Sequence, residues 1–213
     1  MFNIETLSDR SFGLGEAPHW NSVDRKFYFV DIVNRLVGTY DSNGKFDEIF
    51  KNNNNDDTVS VVLPVNNGND VVISVGTSLI LFNLQTKTEK LIDKISANGL
   101  RFNDGKCDPS GRIWIGTMGK NDMKNANSAL YRLNPMTNKL EVQLEQVILS
   151  NGICWSLDSK KMYYIDSMKR SVFLFDYDIE NGNIGWFFLL NFHSKNMAQF
   201  LYLSQQTNVH FWI

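Results

Sequence analysis

Between residues 98 and 118 the chain reads NGLRFNDGKCDPSGRIWIGTM, and Arg101, Asn103, Asp104, Lys106 and Asp108 fall within eight positions of it. A guanidinium, an amide and two carboxylates crowded in this way can hold the oxygens of a small polar molecule. Amide and carboxylate oxygens also suit a hard divalent cation. Four glycines and one proline make the stretch turn tightly, and a strand pattern follows at 112–116. Polar loops carried on strands are common small-molecule sites, because the strand fixes what the loop presents. Two further loops share this form. LSNGICWS at 149–156 leads into KMYYID at 161–166, and GLGEAPHW at 13–20 leads into KFYFVD at 26–31. Three loops at one place in a repeating unit are expected to converge, so that Glu16, Asn103 and Asn151 face one cavity.

The elements that position these loops are short strands. An aromatic followed by a polar turn recurs at Tyr40, Phe82, Tyr131 and Phe175. The intervals are about 42, 49 and 44 residues, the spacing of β-propeller blades. Strand patterns bounded by Gly, Asn or Asp occupy 70–75, 78–82, 128–133 and 171–175. No long segment carries a helical period with caps. The expectation is an all-β chain of about four blades, each a four-stranded antiparallel sheet. Trp20, Trp114 and Trp155 read as core residues, and Asn52–Asp57 (NNNNDD) as a solvated loop.

Taken in order, GEAPHW, YFVDI, RFNDGKCDPSGRIWIGTM, SNGICWS, KKMYYIDS and FDYDIENG resemble the SMP-30/gluconolactonase/regucalcin-like family, insect members included, over about residues 10–185. The resemblance implies a six-bladed β-propeller, of which about four blades are present here. It implies one divalent cation (Ca, Zn, Mn or Mg) held by Glu16 and Asn151, and a sugar lactone bound through Arg101 and Asn103. The metal would polarise the lactone carbonyl and stabilise the oxyanion formed as water attacks. Asp104 reads as a brace for its loop.

Two departures from the family pattern bear on activity. Gly119-Lys120-Asn121 stands where an acidic residue often follows the GTM block, with Asp122 one step on. No carboxylate follows Glu180, so the aspartate of the family's Pro-Asp-Gly loop, a metal ligand and general base, is missing. Residues 186–213 lack Gly, Pro, Asp and Glu and are rich in Phe and Trp. They read as an atypical tail after a partial propeller at 1–185, as in a C-terminally truncated product.

Three functions compete on this reading: metal-dependent lactone hydrolysis, impaired by the lost blades; calcium-binding regulation without hydrolysis; or an inactive product. A net charge of −2 gives no reason to expect nucleic acid or an acidic membrane surface. MFNIETLSDR is no secretory signal, and no run approaches the roughly 18 apolar residues of a spanning helix. Cys107 and Cys154 form no disulfide framework and read as reduced packing residues of a cytoplasmic protein. His19, His193 and His210 show no metal-ligand spacing.

Overall fold

The computed structural model describes residues 6–66, 68–122 and 127–191. Sixteen strands lie among them, with no helix. The first blade holds β1 (Gly15–Asn21), β2 (Lys26–Asp31), β3 (Leu36–Asp41) and β4 (Phe46–Lys51). The second holds β5 (Val59–Pro64), β6 (Asp70–Val75), β7 (Ser78–Asn83) and β8 (Glu89–Lys94). The third holds β9 (Leu100–Cys107), β10 (Ile113–Gly119), β11 (Ser128–Asn134) and β12 (Lys139–Val147). The fourth holds β13 (Ser150–Trp155), β14 (Lys161–Asp166), β15 (Ser171–Asp178) and β16 (Asn183–Asn191). Each blade is an antiparallel meander in chain order, so the all-β, propeller-type expectation holds.

The aromatic-turn repeat closes the third strand of every blade. Tyr40, Phe82, Tyr131 and Phe175 lie in β3, β7, β11 and β15. A polar side chain just beyond each then caps the hairpin. Asp41 accepts from the backbone N–H groups of Asn43 and Lys45. Asn83 does so from Gln85 and Thr86, Asn134 from Met136 and Thr137, and Asp178 from Glu180 and Asn181. Short Asn and Asp side chains close turns by such local bonds.

The chain divides into two compact units, Met1–Ile92 and Asp93–Ile213. The core of the first joins Tyr28, Val30 and Val37 of one blade to Val62, Ile73 and Phe82 of the next. In the second, Trp114 and Leu130 pack with Met162, Tyr164, Phe173 and Phe175. Burying such residues contributes roughly 25 cal/mol per Å² of apolar surface, and each core consists of facing blade surfaces.

Trp114 is fully buried, and Trp155 packs on its edge with ring centroids 6.2 Å apart. Trp20 departs from expectation, being 54% exposed. In β1 it alternates with half-buried His19 and Asn21, so it falls on the open face of that strand. Asn52–Asp57 is a loop, in which the Asn52 side-chain amide donates to the carbonyls of Asn54 and Asp57. β16 runs through the expected 185/186 division, with Phe187 opposite Phe175. Trp186, Phe187 and Phe188 stand on this outer strand and are exposed. His193, His210 and the rest of the expected tail lie outside the described residues.

Candidate functional site

The second residue of the first strand is a matched position in all four blades: Glu16 in β1, Ser60 in β5, Arg101 in β9 and Asn151 in β13. One backbone bond repeats beside each. Ile32 N donates to Leu14 O at 2.9 Å, Gly76 N to Thr58 O at 2.9 Å, Lys120 N to Gly99 O at 2.8 Å and Ser167 N to Leu149 O at 3.1 Å. Three of the four expected site residues therefore hold equivalent places on the scaffold. Asn103 lies two residues beyond Arg101, on the same face of β9 by strand alternation.

The stretches read as loops are strands in the structure, and each carries a bulge. Register shifts fall between Glu16 and His19 and between Asn151 and Ile153. A third falls between Phe102 and Gly105, leaving Asn103 and Asp104 opposite Gly116. Asn-Gly and Asn-Asp-Gly ordinarily mark turns; here they absorb the extra residue of a bulge. Gly152 has φ of 31°, and a side chain there would meet Ile165 Cδ1 at 2.5 Å. A Cβ on Gly105 would meet the carbonyl oxygen of Trp114 at 2.7 Å. The Asp104 carboxylate accepts from Gly105 N at 2.8 Å, the bracing role expected of it.

A chain of hydrogen bonds links the expected residues of the second unit. Arg101 Nη1 donates to Asn103 Oδ1 at 3.0 Å and to Phe102 O at 2.9 Å. Asn103 Nδ2 donates to Asn151 Oδ1 at 3.1 Å and to Ser150 O at 2.7 Å, bridging β9 and β13. Asn151 Nδ2 donates to Ser167 Oγ at 2.9 Å. With its nitrogen held by Ser167, the Asn151 amide has one orientation, and its oxygen keeps a lone pair beyond the bond from Asn103. Ser167 was not among the expected residues, although it directly follows the YYID strand that pairs with β13. A cavity of about 360 Å³ opens beside the start of β9, bounded by Asn98, Leu100, Asn121 and Asp122 among others. In the first unit, Glu16 borders a groove of about 380 Å³ with Arg10, Phe12, Phe29 and Tyr40.

Among the described residues, no three His, Cys, Asp or Glu side chains cluster as a metal site. Cys107 and Cys154 are free and partly buried. Burial pushes the Cys107 thiol up to about 11, assisted by the neighbouring Asp108 carboxylate, and the Cys154 thiol up to about 12 against a small opposing effect of Lys106. Neither is a nucleophile near neutrality. Iodoacetamide at pH 8 is expected to label both at least about tenfold more slowly in the folded chain than in urea. Equal rates would contradict the burial. The raised thiols bind protons more tightly when folded, so their contribution to stability is present below about pH 9 and fades as pH rises toward 11–12.

A family description, SMP-30/Gluconolactonase/LRE-like region, matches residues 14–189. The chain belongs to this family. Among curated relatives of the family, regucalcin from Gallus gallus is 36% identical over 190 residues, covering 85% of this chain and 61% of its own. Regucalcin from Homo sapiens is 36% identical over 188 residues with the same coverage. A solved luciferin-regenerating enzyme superposes with a TM-score of 0.77 at 30% identity, over 84% of this chain and 61% of that one. The chain thus spans about three fifths of the length of the family members it matches.

Proposed function

We propose that this chain carries metal- and substrate-binding residues of a divalent-metal-dependent sugar-lactone hydrolase of gluconolactonase type. Family membership supports this reading. The observation that carries it is the chain Arg101–Asn103–Asn151–Ser167, which orients two amides and a guanidinium on matched inner strands.

Glu16 and Asn151 fit a divalent cation in kind, since a carboxylate and an amide oxygen are hard donors that suit Ca²⁺, Mg²⁺ or Mn²⁺ and are acceptable to Zn²⁺. Their matched places in two blades support the assignment of both as ligands. When bound, the cation would supply Lewis-acid polarisation of the lactone carbonyl. The planar Arg101 guanidinium is a donor fork of the kind that suits the hydroxyl and carbonyl oxygens of a sugar lactone. Asn103 spends its N–H groups on Ser150 and Asn151, so it serves the site first by holding Asn151 in place. Glu16 is the only carboxylate among Glu16, Arg101, Asn103 and Asn151, so this donor set offers no separate base for the proton of an attacking water. The chain by itself is therefore expected to bind metal more readily than it turns over substrate. That same lack favours, as a second reading, calcium binding without hydrolysis.

Partners on this reading are a small-molecule lactone, with neither nucleic acid nor membrane, and the location is cytoplasmic. Two free cysteines suit a reducing compartment. No helix among the described residues is long and apolar enough to cross a membrane.

The test is calorimetric titration of the purified chain with Ca²⁺, Mn²⁺, Mg²⁺ and Zn²⁺, beside gluconolactone hydrolysis. Binding should be present and should weaken by about tenfold or more in Asn151→Ala and Glu16→Gln. Turnover should stay near the uncatalysed rate. Absence of binding by every metal would sink the assignment. Fast turnover abolished by Glu16→Gln would show that the donor set contains a further ligand or base.

A further inference from the structure

Two blades carry a device that the other two lack. Asp31 closes β2 and Asp166 closes β14, and both carboxylates are fully buried. Asp31 Oδ2 accepts from Gly13 N at 2.8 Å, and Oδ1 from Leu14 N at 3.1 Å. Asp166 repeats this atom for atom, Oδ2 accepting from Ile148 N at 2.9 Å and Oδ1 from Leu149 N at 3.1 Å. Each also accepts from the backbone three residues on, Asn34 N at 3.1 Å and Lys169 N at 3.3 Å. At the same place in the second and third blades stand Val75 and Gly119, which can accept nothing through a side chain.

The clamp has a local logic. Gly15 opposite Asp31 and Ser150 opposite Asp166 are the last paired residues of their ladders. The two N–H groups before each, those of Gly13 and Leu14 or of Ile148 and Leu149, donate to the carboxylate. The next residues are Glu16 and Asn151, and each ladder then shifts register. Each side chain thus sits on a short span of strand with a bulge on one side. The clamp adds to the backbone bond already at each start, Ile32 N to Leu14 O in one blade and Ser167 N to Leu149 O in the other.

We propose that Asp31 and Asp166 are matched positioning residues, each carboxylate fixing the start of an inner strand so that Glu16 or Asn151 presents its oxygen in one orientation. The inference rests on the reading of Glu16 and Asn151 as metal ligands. The restriction of the carboxylates to the two blades that carry those ligands is what separates it from a general feature of blade construction. An asparagine in either place would turn one acceptor oxygen into a donor facing a backbone N–H.

The experiment compares Asp31→Asn, Asp166→Asn and Asp108→Asn, the last a buried aspartate remote from this device in the ladder. Mn²⁺ affinity is read by electron paramagnetic resonance, and amide exchange by NMR on the metal-free chain. Loss of a group that orients a ligand typically weakens metal affinity 10- to 100-fold. That is expected for Asp31→Asn and Asp166→Asn, while Asp108→Asn should lower the melting temperature and leave affinity within about twofold. Exchange at Gly13, Leu14 and Glu16 should quicken only in Asp31→Asn. Exchange at Ile148, Leu149 and Asn151 should quicken only in Asp166→Asn. Unchanged affinity in both clamp variants, or an equal loss in Asp108→Asn, overturns the proposal. If the unaltered chain binds no Mn²⁺, the metal reading falls. The exchange pattern then decides the clamp, and protection at Glu16 and Asn151 unmoved by either variant overturns it.

Discussion

Asp108→Ala is expected to cost about 3–5 kcal/mol, the loss typical of removing one partner from a buried, hydrogen-bonded charge pair. The Asp108 side chain is fully buried beside an Arg112 that is 13% exposed, with Nη1 to Oδ2 at 2.9 Å. The same carboxylate accepts from Tyr177 Oη, from the indole Nε1 of Trp114, and from the backbone of Ser110 and Arg112. Arg112 continues across the hairpin of the fourth blade, donating to the carbonyls of Ile179 and Glu180. One aspartate therefore ties the β9–β10 turn to the β15–β16 turn. Alanine would strand a guanidinium and a phenol together. Chemical denaturation should show the loss, and Tyr177→Phe in the same background should add little, because its partner has gone. Strict additivity of the two would sink this account.

The acid limb gives a second check on the same residue. Burial alone would raise the Asp108 carboxyl, but bonds from Tyr177 and Arg112 outweigh it and hold the group below the ordinary 3.8. A carboxylate lowered on folding contributes stability above its unfolded value and loses it as pH falls through the folded one. Stability below about pH 4 should therefore fall less steeply in Asp108→Ala than in the unaltered chain.

The blades were legible because their signals are local. Strand limits at 26–31, 70–75 and 161–166 follow from runs of aromatic and β-branched residues that end at charged or turn-forming positions. The aromatic-turn repeat marks third strands because a polar cap must close each hairpin. The inner strands were not legible as strands. Asn103-Asp104-Gly105 and Asn151-Gly152 are turn formers by composition, and only pairing with β10 and β14 shows that their extra residues become bulges. Long-range pairing decides this, and no local pattern encodes it. Glu16, Arg101, Asn103 and Asn151 were singled out by type and by resemblance. That three of them share one place in the blade appears only with the register. Ser167 and the carboxylates of Asp31 and Asp166 escaped notice because a serine or aspartate ending a strand looks like ordinary punctuation until its partners are known.

Gly116→Ala should disturb the candidate site from a distance and supply the sharpest steric test of the blade contact. A Cβ at Gly116 would lie 1.7 Å from Ser150 Oγ and 2.4 Å from Ser150 Cβ. The hydroxyl can rotate away, but the Cβ is fixed to the backbone of β13, so the strand itself must move. Overfilling a packed contact in this way costs about 1–3 kcal/mol. The movement also falls on the residue whose carbonyl accepts from Asn103 Nδ2 at 2.7 Å. The bridge between β9 and β13 should lengthen, and the side-chain amide resonances of Asn103 and Asn151 should shift in NMR spectra even where the chain remains folded. Ser150→Gly in the same chain removes the offending Cβ while keeping the carbonyl. The double variant should therefore recover most of the stability lost by Gly116→Ala and return the amide resonances toward their original positions. A double variant no better than the single one would mean that the strain lies elsewhere in β10, and that the Gly116–Ser150 contact does not set the spacing on which the Asn103–Asn151 bond depends.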